Sequence, residues 1–314
     1  MYWRTESLLQ TELQLPLVIG LSVTHFPHKY ETYGIPALLH LFPNLKELRV
    51  LLDCFGEYPN TSLVHGLPLP PNLRLDTLHF MSPLSTPSLI EAITSTDSLH
   101  CLRILNVEVS TIDYLSPLGR FLRHSGSTLK HLTLDISDTD DATDLAHLLE
   151  TPHKCWSPLE ISNCSVLESL SLVIPVDGSL EAAPGLEIAY SWMTYFVQTI
   201  TSPYFKTLTI DFRGDDIRLF IDMGDWKIFQ EWFNPNSFPN FENLIFFEST
   251  EDWPQPQKKD LDEHAMIMLK NLLPEMDRKQ ILKFNYLEIR EREQRSLLSS
   301  RPEDAPWFGA TYRS

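Results

Sequence analysis

The chain has 314 residues, of which 43% are hydrophobic, and it carries a formal net charge of −17 at pH 7 with a pI near 5.0. This length and apolar content are enough to bury a large core in one continuous domain. The acidic balance argues against a nucleic-acid groove and against an anionic membrane surface as partners, because both need clustered Lys and Arg.

A short phrase returns along the chain: an apolar anchor, in most copies a charged residue, then a polar residue, Leu, a polar residue and another apolar residue. The copies start at the anchors Val18, Leu45, Leu75, Leu102, Leu129, Leu167, Phe205, Phe241 and Phe284. The first five anchors lie about 27 to 30 residues apart and the later ones about 36 to 43. A charge follows the anchor in seven of the nine copies, namely Lys46, Asp76, Arg103, Lys130, Glu168, Lys206 and Glu242. This regularity predicts one supersecondary unit per interval.

Each copy predicts a short strand, because its apolar residues alternate, as in Leu132, Leu134 and Ile136. The segments between copies have helical spacing, with apolar residues at Ile35, Leu38 and Leu39; Leu89, Ile90 and Ile93; Leu115, Leu118, Phe121 and Leu122; Leu145, Leu148 and Leu149; and Trp192, Tyr195, Phe196 and Ile200. Helical spacing also predicts helices over 226–233 and over 261–272. Repeats in which each strand has the same apolar pattern and is followed by a crossover stack as a parallel sheet with right-handed connections. The predicted fold class is therefore α/β, an irregular right-handed leucine-rich-repeat-like solenoid with a parallel sheet on its concave face and helical or turn crossovers outside.

The predicted organisation is an N-terminal cap over residues 1–17, the solenoid over residues 18–289 and a charged, partly disordered tail over residues 290–314. Repeats are shorter up to about residue 150 and longer after it. Proline is expected in the connections, because it cannot donate within a sheet ladder, and the segments 175–184 and 253–259 are predicted as loops. The Asn or Cys that ordinary leucine-rich repeats carry eight positions after the first leucine is missing, so irregular rungs are expected.

The sequence carries no recognisable catalytic, cofactor-binding or metal-binding motif, so a non-catalytic protein without a cofactor is expected. No Gly-rich phosphate loop occurs among the 11 glycines, and His264 has no second His four residues away. The acidic run from Asp135 to Asp144 lacks the central Gly and the final Glu of a calcium loop, and it fits the acidic start of a helix better. The four cysteines have neither metal nor disulfide spacing, and no run of eighteen apolar residues occurs, which predicts reduced thiols in an intracellular protein of the cytoplasm or nucleus with no membrane partner. An enzyme with an unrecognisable site remains the less favoured alternative.

The predicted binding site is the face of the sheet that points away from the core. Residues between the apolar positions of successive strands should project onto one concave surface that binds a protein partner. The candidates are Arg49, His79, Glu108, His131, Asp135, Asp211 and Phe247, with Ile104 and Ile245 beside them. Mixed charge and exposed aromatics suit protein recognition, although any single side chain of this kind is more often simply solvated. The acidic composition favours either a basic partner or a plain solvated surface, and Trp226 and Trp232 are predicted as core rather than a ligand cage.

Three phrases within residues 18–289 stand out as typical of one kind of repeat protein, namely 42–48 (FPNLKEL), 161–170 (ISNCSVLESL) and 273–276 (LPEM) followed by 280–284 (QILKF). They resemble the leucine-rich-repeat portion of the divergent F-box protein families of mushroom-forming basidiomycete fungi. The resemblance implies that the repeats hold a substrate protein, and that an F-box recruits a Skp-type adaptor of a cullin ubiquitin ligase. Only 17 residues precede the first anchor, too few for the small helical F-box, so contact with the adaptor is expected only if an F-box lies upstream. The expected function is a protein-interaction module, either the substrate-binding part of a ubiquitin-ligase receptor or a free-standing scaffold without a ligase role.

Overall fold

The computed structural model describes residues 15, 17–23, 34–51, 69–81, 86–109, 114–136, 156–176, 198–214, 221, 226–233, 237–249 and 255–286. These residues form nine strands: β1 Gly20–Val23, β2 Glu47–Leu51, β3 Thr77–Met81, β4 Ile104–Glu108, β5 His131–Asp135, β6 Ser169–Val176, β7 Thr207–Gly214, β8 Asn243–Ser249 and β9 Leu282–Tyr286. All belong to one open parallel sheet whose strand order is the chain order. The predicted α/β class and the parallel sheet are confirmed.

Helices connect the strands within the described ranges: α1 Gly34–Leu39, α2 Thr86–Thr94, α3 Leu115–Ser125, α4 Trp226–Trp232, α5 Gln255–Leu272 and α6 Pro274–Arg278, with 3₁₀ turns at Asp97–His100, Ser157–Leu159 and Ile161–Asn163. Helices α1 to α5 confirm the helical spacing read at those places. The predicted helix around Leu145, the first residues of the one around Trp192, and residues 1–14 and 287–314 lie outside the described residues. No helix in the described part of the chain is long and apolar enough to cross a membrane.

One leucine from every strand stands in register across the whole sheet. The row consists of Leu21, Leu48, Leu78, Leu105, Leu132, Leu170, Leu208, Leu244 and Leu282. Two residues further on, a second apolar row consists of Val23, Val50, Phe80, Val107, Leu134, Leu172, Ile210, Phe246 and Phe284. Since side chains alternate along a strand, both rows lie on one face. They pack with buried helix residues such as Phe121 and Phe229 in one cluster, so the core lies between this face and the helices.

The last repeat is displaced from its predicted position. The sequence pattern set the ninth anchor at Phe284, whereas the structure pairs Leu282 with Leu244 and Phe284 with Phe246. The anchor prediction at Phe284 is therefore wrong. The position three residues before the leucine, where other repeats have an apolar anchor, holds Lys279 here, so the ninth copy lacks the feature by which the others were found.

Two prolines lie inside regular elements where loops were predicted. Helix α5 begins one residue before Pro256, so this proline falls in the first turn, where its missing N–H would have had no acceptor within the helix. Pro175 lies within β6. The carbonyl of Val173 points toward the β5 side and accepts the N–H of Ile136 at 3.0 Å. The nitrogen of Pro175, two residues later, points in the same direction, but it lies beyond the last described residue of β5. The loop prediction is therefore wrong for residues 175–176 and 255–259.

Backbone hydrogen bonds link the charged positions that follow the anchors, at the N-terminal end of each strand. The carbonyl of Lys130 accepts the N–H groups of Glu168 at 2.7 Å and of Ser169 at 3.0 Å, and the carbonyl of Glu168 accepts those of Lys206 at 2.8 Å and Thr207 at 3.2 Å. The same pattern runs through Ile19, Lys46, Asp76, Arg103 and Lys130 and continues from Lys206 to Glu242. Each carbonyl thus holds two N–H groups of the next repeat, which fixes the register between neighbouring strands.

A second set of hydrogen bonds joins the connections of neighbouring repeats. It is made by side chains that sequence reasoning missed. Ser98 Oγ donates to the carbonyl of Leu73 at 2.9 Å and accepts the N–H of Leu75 at 3.1 Å, both in the preceding repeat. Thr128, Thr201 and Asn240 each donate to a backbone carbonyl of the preceding repeat, at 3.4, 2.8 and 2.8 Å. These residues stand shortly before the anchors, and their side chains satisfy backbone groups of the neighbouring connection.

Candidate functional site

The face of the sheet opposite the core carries three rows of side chains, and we call it the polar face. Its first row consists of Glu47, Thr77, Ile104, His131, Ser169, Thr207 and Asn243. Its second row consists of Arg49, His79, Asn106, Thr133, Ser171, Thr209, Ile245 and Lys283. The third row includes Glu108, Asp135, Val173, Asp211 and Phe247. Neighbouring strands lie about 4.8 Å apart, so the rows form a continuous band across the sheet.

All seven predicted site residues lie on the polar face, but they differ in exposure. Arg49, His131 and Phe247 are half-buried. The other four are buried, with exposed fractions of 3% for His79, 5% for Glu108, 6% for Asp135 and 9% for Asp211. These four side chains therefore offer little surface to a partner. Partner contact stays a prediction for all seven residues.

The accessible middle of the polar face is made of hydroxyl groups. Thr133, Ser169, Ser171, Thr207 and Thr209 come from β5, β6 and β7 and are all half-buried. Sequence reasoning missed them, since a Ser or Thr between apolar residues carries no chemical signal by itself. Only the strand register brings together hydroxyls from three repeats.

Beside the hydroxyl groups, toward β9, the polar face carries amide and ammonium groups. Asn243 donates to the Thr207 hydroxyl at 3.3 Å, and Lys283 donates to the amide oxygen of Asn243. Ile245 stands next to Thr209 and Lys283 in the second row and is half-buried. This end of the band therefore combines a cation with apolar surface.

The imidazole of His79 is held on one side only. Its Nδ1 lies 2.6 Å from Nδ2 of Asn106 on the next strand, whereas its buried Nε2 has no hydrogen-bond partner within the described part of the chain. Burial and, second, the positive charge of Arg49 lower the pKa of His79 to about 3, so the ring is neutral at pH 7. With Asn106 donating to Nδ1, the proton sits on Nε2, and leaving such a buried N–H unpaired costs about 1–3 kcal/mol.

A group of three alternating charges lies at the N-terminal ends of β5, β6 and β7, and we call it the Lys–Glu–Lys triad. Nζ of Lys130 lies 2.6 Å from Oε1 of Glu168, and Nζ of Lys206 lies 3.2 Å from Oε2 of the same carboxylate. The hydrogen bond from Lys130, opposed by burial and assisted by Lys206, lowers the pKa of Glu168. His131 adjoins the triad with Nδ1 at 2.7 Å from the Ser169 hydroxyl; burial lowers its pKa, the two lysines add to the effect, and Glu168 opposes it.

Metal-ligand clusters and thiol reactivity can be assessed for the described residues. No group of three or more His, Cys, Asp or Glu side chains that could hold a metal ion occurs among them. Burial raises the pKa of the Cys164 thiol to about 12, and burial, first among several causes, also raises the pKa of Cys101, so neither thiol is activated as a nucleophile. The polar face presents hydrogen-bond donors, acceptors and cations along a band.

No protein-family model matches this chain, and no curated protein matches it.

Proposed function

We propose that this protein is a non-catalytic protein-interaction module, built as a leucine-rich-repeat-like solenoid, whose protein partner binds across the polar face. The observation that carries the proposal is the asymmetry of the sheet. From β2 to β8 the leucine row is buried, whereas the first two rows of the opposite face keep half-buried polar side chains at most of their positions.

The solenoid reading is supported by the way in which the pattern repeats. Strands pair in chain order and each contributes one leucine to the same row. From β1 to β8, each strand is also tied to the next because the carbonyl at the position after the anchor accepts two N–H groups of the next repeat. Every repeat therefore buries its apolar flank against its neighbours, as the units of a repeat array do. A rigid array of this kind holds surface groups at fixed spacings without needing loops to order them.

A protein is the favoured class of partner because of the size and chemistry of the band. Nine strands at about 4.8 Å spacing span about 38 Å, which suits a protein surface better than a small molecule. Along it lie hydroxyls, an amide, imidazoles and cations, with the apolar Ile245 and Phe247 toward one end. Protein interfaces combine apolar anchors with satisfied polar contacts in this manner.

The resemblance to F-box repeat regions suggests a more specific role, in which the polar face holds the substrate of a ubiquitin ligase. Under that role the partner would be ubiquitinated in cells where this protein meets a Skp-type adaptor. A free-standing scaffold would bind the same partner without adaptor or ubiquitination. Co-precipitation of the adaptor, with accumulation of the partner when this protein is removed, supports the receptor role; partner binding without either supports the scaffold.

The binding face itself is tested with a photo-crosslinking amino acid placed at Ser171, in the middle of the band, and in a separate variant at Arg120, which is exposed on helix α3. Crosslinking in cells followed by mass spectrometry should identify one protein joined at Ser171 and not at Arg120. Equal crosslinking from both positions, or none from Ser171 and from Thr209 beside it, would refute binding across the polar face.

A further inference from the structure

Charged side chains at the N-terminal ends of the strands, together with those in the first two rows of the polar face, carry a small positive excess, opposite in sign to the charge of the whole chain. The seven charged positions after the anchors hold four cations and three carboxylates, and the first two rows add the cations Arg49 and Lys283 and the carboxylate Glu47. Six cations therefore face four carboxylates in a protein whose formal net charge is −17. The third row adds three buried carboxylates, Glu108, Asp135 and Asp211, but these lie about 16 Å further along the strands, beyond a Debye length of about 8–10 Å, so the positive excess belongs to the N-terminal ends of the strands.

The excess positive charge is concentrated at the Lys–Glu–Lys triad. Lys130 and Lys206 share the single carboxylate of Glu168, and their side chains keep exposed fractions of 44% and 45%. Each ammonium has three donors and uses one on Glu168. The flanking charged positions, Arg103 and Glu242, cancel each other, so the locus keeps one net positive charge.

Neutral donors stand beside the two ammonium groups. The hydroxyls of Ser169 and Thr207 occupy the adjacent positions of the first row, next to the imidazole of His131. Ammonium groups with hydroxyls nearby are the donors that a carboxylate accepts from most strongly, because charge-assisted hydrogen bonds are about twice as strong as neutral ones.

We propose that the partner segment that binds the polar face is acidic, and that one of its carboxylates is bound by Lys130 and Lys206. This inference rests on the proposed function, which supplies the partner, and it adds the chemistry of the segment. It runs against the basic partner that composition favours, since a ligand on the surface feels the nearby charges far more than those beyond the Debye length of about 8–10 Å.

The test uses three fluorescein-labelled probes at about 0.1 M ionic strength, where the Debye length is about 10 Å: a twelve-residue Glu/Gly peptide, a matched Lys/Gly peptide and a twelve-residue oligothymidylate. Fluorescence anisotropy should show binding of the acidic peptide, weakened by added salt, and weaker binding of the basic peptide. Tighter binding of the basic peptide would overturn the proposal. Tighter binding of the oligothymidylate would also overturn it, by assigning the cations to nucleic acid.

The residues are tested by matched charge changes. Lys130→Glu with Lys206→Glu should weaken binding of the acidic peptide by at least about tenfold, whereas Arg120→Glu with Lys270→Glu should change it less than about twofold. The control cations are similarly exposed, at 52% and 48%, and each has one ion pair on a helix. Glu168→Gln should tighten binding about threefold, a gain that a purely structural ion pair would not give. Equal effects of the two double variants would refute the site.

The outcomes separate this inference from the proposed function. A partner crosslinked at Ser171, together with no binding of the acidic peptide, leaves the interaction module standing and removes the acidic segment. Failure to crosslink at Ser171 and Thr209 removes the interaction module and, with it, the partner to which the acidic segment belongs.

Discussion

Burial of a neutral imidazole at His79 makes the stability of this protein depend on pH in a calculable way. The pKa of His79 falls from about 6.5 in the unfolded chain to about 3 in the fold, so between these values the unfolded chain binds a proton that the folded chain does not. The contribution of His79 to the free energy of unfolding is therefore fully present above pH 6.5 and decreases as the pH falls toward 3. Between pH 7.5 and pH 5.8 the expected loss is about 1 kcal/mol.

The assay is urea unfolding followed by circular dichroism at these two pH values, both above the pI near 5.0, where the protein stays charged. Replacing His79 and Asn106 together by Leu removes both hydrogen-bonding partners and should reduce the loss between the two pH values by about 1 kcal/mol. Asn106→Leu alone lowers stability at both pH values and keeps the pH-dependent part, which makes it the control. If the double variant loses as much stability as the parent protein, the imidazole is not buried in the neutral state.

Further predictions concern packing, backbone satisfaction and thiol reactivity. A Cβ on Gly119 would lie 1.6 Å from the carbonyl oxygen of Pro158, so Gly119→Ala should lower the urea midpoint by the equivalent of about 2 kcal/mol or more. Gly20→Ala is the control, because a Cβ there would have its nearest contacts at 4.0 Å, and it should cost less than about 1 kcal/mol. Equal losses of stability in the two variants would contradict the close approach at Gly119. Ser98→Ala leaves two buried backbone groups without their partner and should cost about 1–3 kcal/mol in the same assay, and an unchanged midpoint would show that water replaces the hydroxyl. Because burial raises the pKa of Cys164 to about 12, mass-mapped alkylation at pH 8 should modify this thiol only on unfolding, and rapid labelling of the native protein would disprove its burial.

The later repeats show how far composition alone could describe the core. These repeats have longer spacing than the earlier ones and more Phe and Trp, and a longer repeat leaves more volume for such side chains to fill. In the structure Phe233 lies with its ring centroid 4.3 Å from that of Phe241 and 5.3 Å from that of Phe238, and Phe205 packs against the same group. Trp226 joins the core, as helical spacing predicted, and packs against Phe229, whereas Trp232 is only partly buried against the same core.

The sequence determined the periodic part of this protein. Apolar alternation marked the strands, helical spacing marked the connections, and recurrence of the phrase required neighbouring strands to be parallel, because each of these signals is local or repeats at a fixed spacing. Where a repeat lost its anchor, as before Leu282, the local signal pointed to the wrong residue. Where proline met an element boundary, as at Pro256, position within the helix outweighed the general preference for loops.

Tertiary structure alone decided which polar residues are accessible and what charge they present. Strand alternation placed Glu108, Asp135 and His79 on the polar face. Their burial depends on segments distant in sequence, and a local sequence pattern carries no information about such segments. The Lys–Glu–Lys triad likewise exists only because register aligns positions 130, 168 and 206. Net charge sums over the whole chain, whereas a ligand responds to the few groups within a Debye length of it, and only the fold selects those groups.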